Sequence, residues 1–236
     1  MTRGVGAATW GYTARPEWTD PIVLALTQLG ATWWLLGVLA LVYLVWPAAR
    51  RQLTGLLGVW LAGIGIYRGL KAAVAVPRPA RPPVAIGAQW LTPDSLLYQV
   101  VVASSGYGFP SGHATNATIV YGGLAAIIVI RTGYLWQPVG AAMSVVAMAA
   151  LSRVALGVHY IIDVMAGIGI GALLLFIVVF VGIYTDDPAP TTAFGVATGT
   201  GALALAIDLS SVTAGLVLVA IVGAVVAHLR EQQLEG

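Results

Sequence analysis

The sequence contains no cysteine and very little charge. Only 8% of its 236 residues are Asp, Glu, Lys or Arg, whereas about a quarter are charged in soluble domains. The lack of cysteine excludes disulfides, thiolate metal sites and cysteine nucleophiles. A net charge of +2 is too small to indicate nucleic-acid binding. Because 59% of the residues are hydrophobic, the composition predicts a polytopic membrane protein.

Long apolar segments predict the architecture, since a membrane-spanning helix needs about 20 mostly apolar residues. We expect an all-α transmembrane helix bundle of about seven spans, or six, forming a single membrane domain over 1–236. The candidate spans are 22–46, 53–76, 112–130, 135–155, 160–184, 191–207 and 211–228. Residues 1–20 form a polar N-terminal arm, 53–184 a core that holds the motifs described below, and 191–228 two accessory C-terminal spans.

The segment 77–109 is rich in proline and glycine, which predicts a loop outside the bilayer. Within it, residues 94–101 could form a short interfacial helix capped by Asp94. Such a helix could border a site that a lipid enters from the membrane.

Polar side chains concentrate in three short segments: 71–79, 110–113 and 152–163. Lys71 lies in the last turns of the second span, and Arg78 follows Pro77, which should end that helix. A charge within the bilayer costs about 2.5 to 3.5 kcal/mol even on the mildest scale, so charges that persist there are functional by default. A lone arginine at a helix end is more often a membrane anchor, but together Lys71 and Arg78 could face one anionic ligand.

The second segment, Pro110 to His113, reads PSGH. Pro110 suits the first turn of a helix, which would leave the amides of Ser111, Gly112 and His113 available to an anion at the positive helix end. The Ser111 hydroxyl adds a donor, Gly112 allows close approach of the backbone, and His113 can hold a proton for a leaving group. Taken alone, this tetrapeptide would more often be an ordinary capped helix start.

In the third segment, His159 and Asp163 are four residues apart and share one helix face. A carboxylate in that position can hold the imidazole in one tautomer while its other nitrogen attacks. An isolated pair of this kind is as often structural as catalytic. Arg153 at the end of the fourth span adds a cation, which favours the catalytic interpretation.

Counting spans places all three segments on the same side of the membrane. The connection 47–51 contains Arg50 and Arg51, and Arg131 lies on the same side. Because cytoplasmic loops carry an excess of Lys and Arg, this pattern predicts that the three segments face the outer side of the cell membrane.

Together, the motifs resemble those of the type 2 phosphatidic acid phosphatase superfamily, which includes lipid phosphate phosphatases and vanadium haloperoxidases. The family pattern is a lysine followed after six residues by Arg-Pro, then PSGH, then Ser-Arg, five residues, His, three residues and Asp. This sequence has Lys71, Arg78-Pro79, Pro110 to His113, Ser152-Arg153, His159 and Asp163 at those spacings. The resemblance covers about residues 53–184.

The resemblance implies a two-step hydrolysis of a lipid phosphate or diphosphate without a metal or cofactor. His159 would attack phosphorus, His113 would protonate the leaving alcohol, and Asp163 would orient His159. The phosphate oxygens would be bound by Lys71, Arg78, Ser111, Gly112 and Arg153. The expected partners are the lipid phosphate and the surrounding membrane lipids, and phosphatidic acid, phosphatidylglycerol phosphate and polyprenyl phosphates all fit such a pocket.

Three alternatives remain open at this point. A phosphotransferase would use the same phosphohistidine but pass it to an alcohol. A vanadate-dependent peroxidase would share the site, although most of those enzymes are soluble. A transporter or lipid-binding protein would keep the site without catalysis, with Asp208 marking a second polar position.

Overall fold

A computed structural model describes residues 17–79, 106–184, 190–207 and 210–235. Within those ranges the chain forms eight α-helices and no strand, which confirms the all-α prediction. The helices are α1 Asp20–Gln28, α2 Thr32–Val45, α3 Arg50–Val74, α4 Gly112–Thr132, α5 Trp136–Ala155, α6 Ile161–Tyr184, α7 Pro190–Ile207 and α8 Ser211–Glu235. The proposed helix at 94–101, most of the loop 77–109, most of the arm 1–20 and Asp208 lie outside the described residues.

Four helices, α3 to α6, are long and apolar enough to cross a membrane. The prediction that 22–46 is one continuous span is wrong, because the segment is divided into α1 and α2, which meet at 55°. Counted as one broken span, this pair brings the total to five. The apolar parts of α7 and α8, Thr192–Ile207 and Thr213–Leu229, are shorter than the four spans, so length and composition support fewer than seven full spans in the described chain.

Two helix boundaries near the motifs differ from the sequence predictions. Helix α3 ends at Val74, where Ala75 adopts a left-handed conformation with φ 49° and donates its N–H to the Lys71 carbonyl. The helix ends before Val76 because the residue that precedes Pro77 is disfavoured in the helical region. Helix α4 has Ser111 as its N-cap, so Pro110 lies before the helix and not in its first turn.

Helix α6 packs closely on α4 because α6 carries glycine at the contact. A Cβ built at Gly167 would lie 2.5 Å from the carbonyl oxygen of Ser111, and one at Gly171 would lie 2.7 Å from Cβ of Thr118. Small residues four apart let two helix backbones approach in this way. The contact fixes the start of α4 against the first turns of α6, where Asp163 lies.

Helix α7 packs against α3 along glycines of α3: a Cβ at Gly58 would lie 2.9 Å from Cβ of Ala193, and one at Gly65 would lie 2.9 Å from the Gly201 amide nitrogen. Arg68, one turn before Lys71, donates from Nε to the Thr213 hydroxyl at 2.8 Å and from Nη2 to the Ser210 hydroxyl at 2.9 Å. These bonds give the Arg68 guanidinium hydrogen-bond acceptors within an apolar span. They also connect the start of α8 to the turn of α3 that precedes the first motif.

Candidate active site

The structure brings the three polar segments together at one end of the bundle. The Ser111 amide donates to the backbone carbonyl of Asp163 at 2.8 Å, which joins the start of α4 to α6. Arg78 Nη1 donates to the Val158 carbonyl at 3.0 Å, which joins the segment after α3 to the connection between α5 and α6. Residues as far apart in the chain as Arg78 and Asp163 therefore form one site.

His159 lies in the connection between α5 and α6 and is 2% exposed. Its Nε2 is 3.1 Å from Arg78 Nη1, and its Nδ1 is 3.3 Å from Asp163 Oδ2. A guanidinium has donors and no acceptor, so Nε2 must be the accepting nitrogen and the ring proton must lie on Nδ1. The lone pair of His159 Nε2 therefore points toward the cationic group, and the N–H points toward the carboxylate.

The carboxylate of Asp163 is fully buried and is held from two directions. Its Oδ2 accepts the Tyr160 amide at 3.0 Å as well as the His159 ring N–H. A carboxylate fixed by a backbone donor holds the imidazole in one tautomer and would stabilise positive charge on the ring. The geometry thus matches the orienting role that the four-residue spacing predicts for Asp163.

Burial is the main reason that the pKa of His159 lies well below its usual value. The positive charges of Arg153, Arg78 and Lys71 lower that pKa further, and a hydrogen bond with the Gly108 backbone acts in the opposite direction. A lowered pKa keeps the imidazole neutral at neutral pH, with an unprotonated Nε2 that accepts the Arg78 N–H. The cations around His159 therefore favour the form that can attack an electrophile.

A short segment before PSGH organises the first two cations. Lys71 Nζ donates to the Tyr107 carbonyl at 2.7 Å, and Arg78 Nε donates to the Gly106 carbonyl at 3.0 Å. Gly108 lies close to Asp163 and to Arg78. A Cβ there would lie 3.3 Å from Asp163 Oδ2 and 3.3 Å from Arg78 Cα. This role was not predicted from the sequence, where the only signal for it is the Gly-Tyr-Gly triplet at 106–108.

The start of α4 presents polar groups to the same region. Ser111 is fully buried, and its hydroxyl neither caps the helix nor has a partner among the described residues. The first intrahelical bond runs from the Thr115 amide to the Ser111 carbonyl, so the amides of Gly112 and His113 belong to the unbonded first turn. The expectation that the Ser111 amide is also available is wrong, because that amide donates to Asp163.

The Tyr67 ring of α3 packs against the first turn of α4. A Cβ at Gly112 would lie 2.9 Å from the Tyr67 ring, and the Tyr67 hydroxyl is hydrogen-bonded to the side chain of Asn116. Neither residue was predicted from the sequence, because a tyrosine and an asparagine within apolar helices carry no motif of their own.

Arg153 and His113 complete the set of predicted residues. Arg153 is 2% exposed and donates from Nη1 to the Thr27 hydroxyl at 2.6 Å. His113 is half-buried in the first turn of α4. It lies within electrostatic range of Arg153, His159, Arg78 and Lys71. The described part of the chain contains no group of three or more His, Asp or Glu side chains arranged to hold a metal ion.

Comparison with known proteins gives the family. The family model of the PAP2 superfamily matches residues 31–185, which is more than half of the chain. The chain belongs to the PAP2 superfamily. This assignment confirms the resemblance that the three motifs carry, and the matched range contains every predicted site residue.

Two relatives and one solved structure show how similar this PAP2 protein is to others. It is 29% identical to phosphatidylglycerophosphatase B of Bacillus subtilis over 170 residues, covering 70% of this chain and 75% of that one. It is 35% identical to decaprenylphosphoryl-5-phosphoribose phosphatase of Mycobacterium tuberculosis over 155 residues, covering 63% and 68%. The crystal structure of a transmembrane PAP2 type phosphatidylglycerolphosphate phosphatase from Bacillus subtilis matches with a TM-score of 0.62 and 26% identity, covering 77% of this chain and 85% of that one.

Proposed function

We propose that this PAP2 protein is an integral-membrane phosphatase that hydrolyses a lipid phosphate or diphosphate through a phosphohistidine, without a metal ion. The observation that carries the proposal is the orientation of His159, whose Nε2 lone pair faces Arg78 while its Nδ1–H faces Asp163. When the cations bind a phosphate, the Arg78 N–H donates to a phosphoryl oxygen in place of Nε2, and the freed Nε2 lone pair faces phosphorus. The relatives named above are phosphatases whose names specify lipid-linked phosphates, which supports this substrate class.

In the first step, His159 Nε2 forms a bond to phosphorus and the bond from phosphorus to the lipid oxygen breaks. His113 gives its proton to that oxygen, so the lipid leaves as an alcohol, or as the monophosphate if the substrate is a diphosphate. In the second step, water attacks phosphorus, His113 takes up a proton from the water, and the nitrogen–phosphorus bond breaks. His159 is again neutral, and inorganic phosphate is released.

The surrounding donors stabilise the charge on the phosphoryl oxygens. Lys71, Arg78 and Arg153 supply positive charge, and the Ser111 hydroxyl and the Gly112 amide supply neutral donors at the positive end of α4. Donors that are already in place cost no reorganisation during the reaction, which is why they accelerate it. The unpartnered hydroxyl of buried Ser111 supports this role, because a buried polar atom is costly unless something binds it.

The position of the arginines supports a site on the outer membrane surface. Arg131, in the last turn of α4, donates to the Ala48 carbonyl and to Gln52 Oε1, and Arg50 starts α3 in the same region. Helix α4 has 21 residues and is therefore about 32 Å long, so the site lies at its opposite end. Because cytoplasmic surfaces carry the excess of Arg and Lys, this arrangement supports the proposal that the site faces outward.

The purified protein should release inorganic phosphate from a panel of lipid phosphates in detergent micelles. The panel contains phosphatidic acid, phosphatidylglycerol phosphate, a polyprenyl monophosphate and a polyprenyl diphosphate. Release should be unchanged by EDTA, because the mechanism needs no divalent cation. Absence of release from every lipid would refute the phosphatase proposal, and loss of release on chelation would refute its metal independence. Adding glycerol as a competing acceptor distinguishes hydrolysis from phosphoryl transfer, which would give glycerol phosphate.

Replacing Gly167 with alanine should lower phosphate release by at least about tenfold, because small displacements of reacting groups are costly. The new Cβ would lie 2.5 Å from the Ser111 carbonyl oxygen, so α6, with Asp163, must move away from α4. Gly169→Ala is the matched control, since a Cβ at Gly169 meets nothing within 4 Å, and it should retain the wild-type rate. Equal rates for the two variants would show that this helix contact does not set the geometry of the site.

A further inference from the structure

The break between α1 and α2 is stabilised by specific polar contacts. The Leu29 carbonyl, which the break releases from helical bonding, accepts the Tyr121 hydroxyl at 3.0 Å. The Trp34 indole N–H in turn donates to the Tyr121 oxygen at 3.0 Å, and the Gly30 amide donates to the Thr27 carbonyl at 3.3 Å. Backbone groups exposed to lipid must find partners within the protein. The break is therefore held in one conformation by α4, the helix that begins with the PSGH motif.

This break touches the candidate site at two points. Thr27 is fully buried, and its hydroxyl oxygen is 2.6 Å from Arg153 Nη1. Three residues later, Gly30 lies against the backbone of His113, where a Cβ would be 2.9 Å from both Cβ and the carbonyl oxygen of His113. The motifs do not include either residue, and both lie outside the core 53–184 that the sequence assigned to the site.

A threonine hydroxyl is a neutral hydrogen-bond acceptor, which suits its position beside Arg153. Its oxygen accepts a hydrogen bond from the guanidinium but carries no net charge. A carboxylate in the same place would hold the arginine more strongly, yet it would cancel the positive charge that a phosphate requires. A neutral acceptor orients the cation and leaves its charge available to an anion.

We propose that Thr27 is a positioning residue that holds the Arg153 guanidinium in the orientation in which it binds the phosphoryl oxygens. The first span is broken at the residues that follow Thr27, which lets the end of α1 pack against α5 while α2 continues along α4. This inference rests on the proposed function only in assigning Arg153 to the phosphate. The N-terminal span is then part of the phosphate site and not only an anchor.

Two substitutions separate the hydroxyl from the shape of Thr27. Thr27→Val keeps the branched shape and removes the acceptor, whereas Thr27→Ser keeps the acceptor and removes a methyl group. The measurements are the dissociation constant of orthovanadate, a phosphate analogue, by calorimetry on the full chain in detergent, and the kcat and KM of phosphate release. Thr27→Val should weaken vanadate binding and lower kcat/KM by roughly tenfold to a hundredfold, the effect expected on losing a hydrogen bond to a charged group. Thr27→Ser should remain within about threefold of wild type.

The inference is overturned if Thr27→Val binds vanadate like wild type, or if the serine and valine variants lose binding equally, since the second result would indicate packing alone. Vanadate binding does not require turnover, so a protein that binds vanadate but releases no phosphate would refute the proposed phosphatase activity while still testing Thr27. Thermal unfolding of both variants identifies any general loss of structure.

A double-mutant cycle with Arg153→Lys tests whether Thr27 acts through Arg153. Lysine keeps the charge but loses the planar donors that reach Thr27. If the two residues act together, Thr27→Val should weaken vanadate binding in the Arg153→Lys background by less than threefold. A full, additive loss in that background would show that Thr27 acts on another group.

Discussion

Replacing His159 with alanine should abolish phosphate release from every lipid phosphate that the wild-type protein hydrolyses. The loss should be on the order of a millionfold, or reach the detection limit, as it does when a covalent catalyst loses its nucleophile. The reason is geometric: Nε2 of His159 is the nitrogen whose lone pair faces the guanidinium of Arg78. The measurement is phosphate release from the most active lipid of the panel, together with acid-labile phosphoenzyme after a brief reaction with labelled substrate.

The matched control is His228→Ala, because His228 is exposed on α8 and has no place in the proposed site. That variant should keep the wild-type rate and the wild-type amount of labelled phosphoenzyme. Unfolding temperatures close to wild type for both variants would separate loss of chemistry from loss of structure. If His159→Ala retained turnover, or if it still formed the phosphoenzyme, His159 would not be the nucleophile.

The parts of the site that depend on local spacing could be predicted from the sequence. His159 and Asp163 are one helical turn apart in the chain, and the structure places Nδ1 of the first 3.3 Å from Oδ2 of the second. Similarly, the long apolar segments predict α3 to α6 within a few residues. The first case depends on the periodicity of a helix and the second on the length of an apolar segment. Both can be read directly from a single sequence.

The parts that depend on packing between distant segments could not be predicted. Thr27 and Arg153 are 126 positions apart, and an isolated threonine in an apolar span gives no signal of its partner. The break after Gln28 was missed because 22–46 is mostly apolar and long enough for one span, while the groups that hold the break, Tyr121 and Trp34, act through a tertiary contact. The Ser111 amide was assigned to an anion for the same reason: its bond to the Asp163 carbonyl requires α6 to pack on α4.

Replacing His113 with alanine should have the second largest effect, and the size of that effect should depend on the leaving group. Loss of a general acid typically costs about a hundredfold to ten-thousandfold. We expect a loss in this range for a lipid phosphate, whose alkoxide needs a proton to depart. For p-nitrophenyl phosphate, whose phenolate leaves without a proton, the loss should be less than about tenfold. The measurement is kcat/KM for both substrates in the wild type and the variant.

The comparison between substrates distinguishes proton donation from a structural role. His113 lies in the first turn of α4, and its backbone contacts Gly30 at the break of the first span, so its substitution could also displace the helix start. A displaced helix would weaken the binding of phosphate from both substrates and lower both rates equally. A general acid is required only where the leaving oxygen is basic, so only the lipid phosphate should lose most of its rate. Equal losses would remove His113 from the chemical step and leave it a part of the helix start that binds the phosphate.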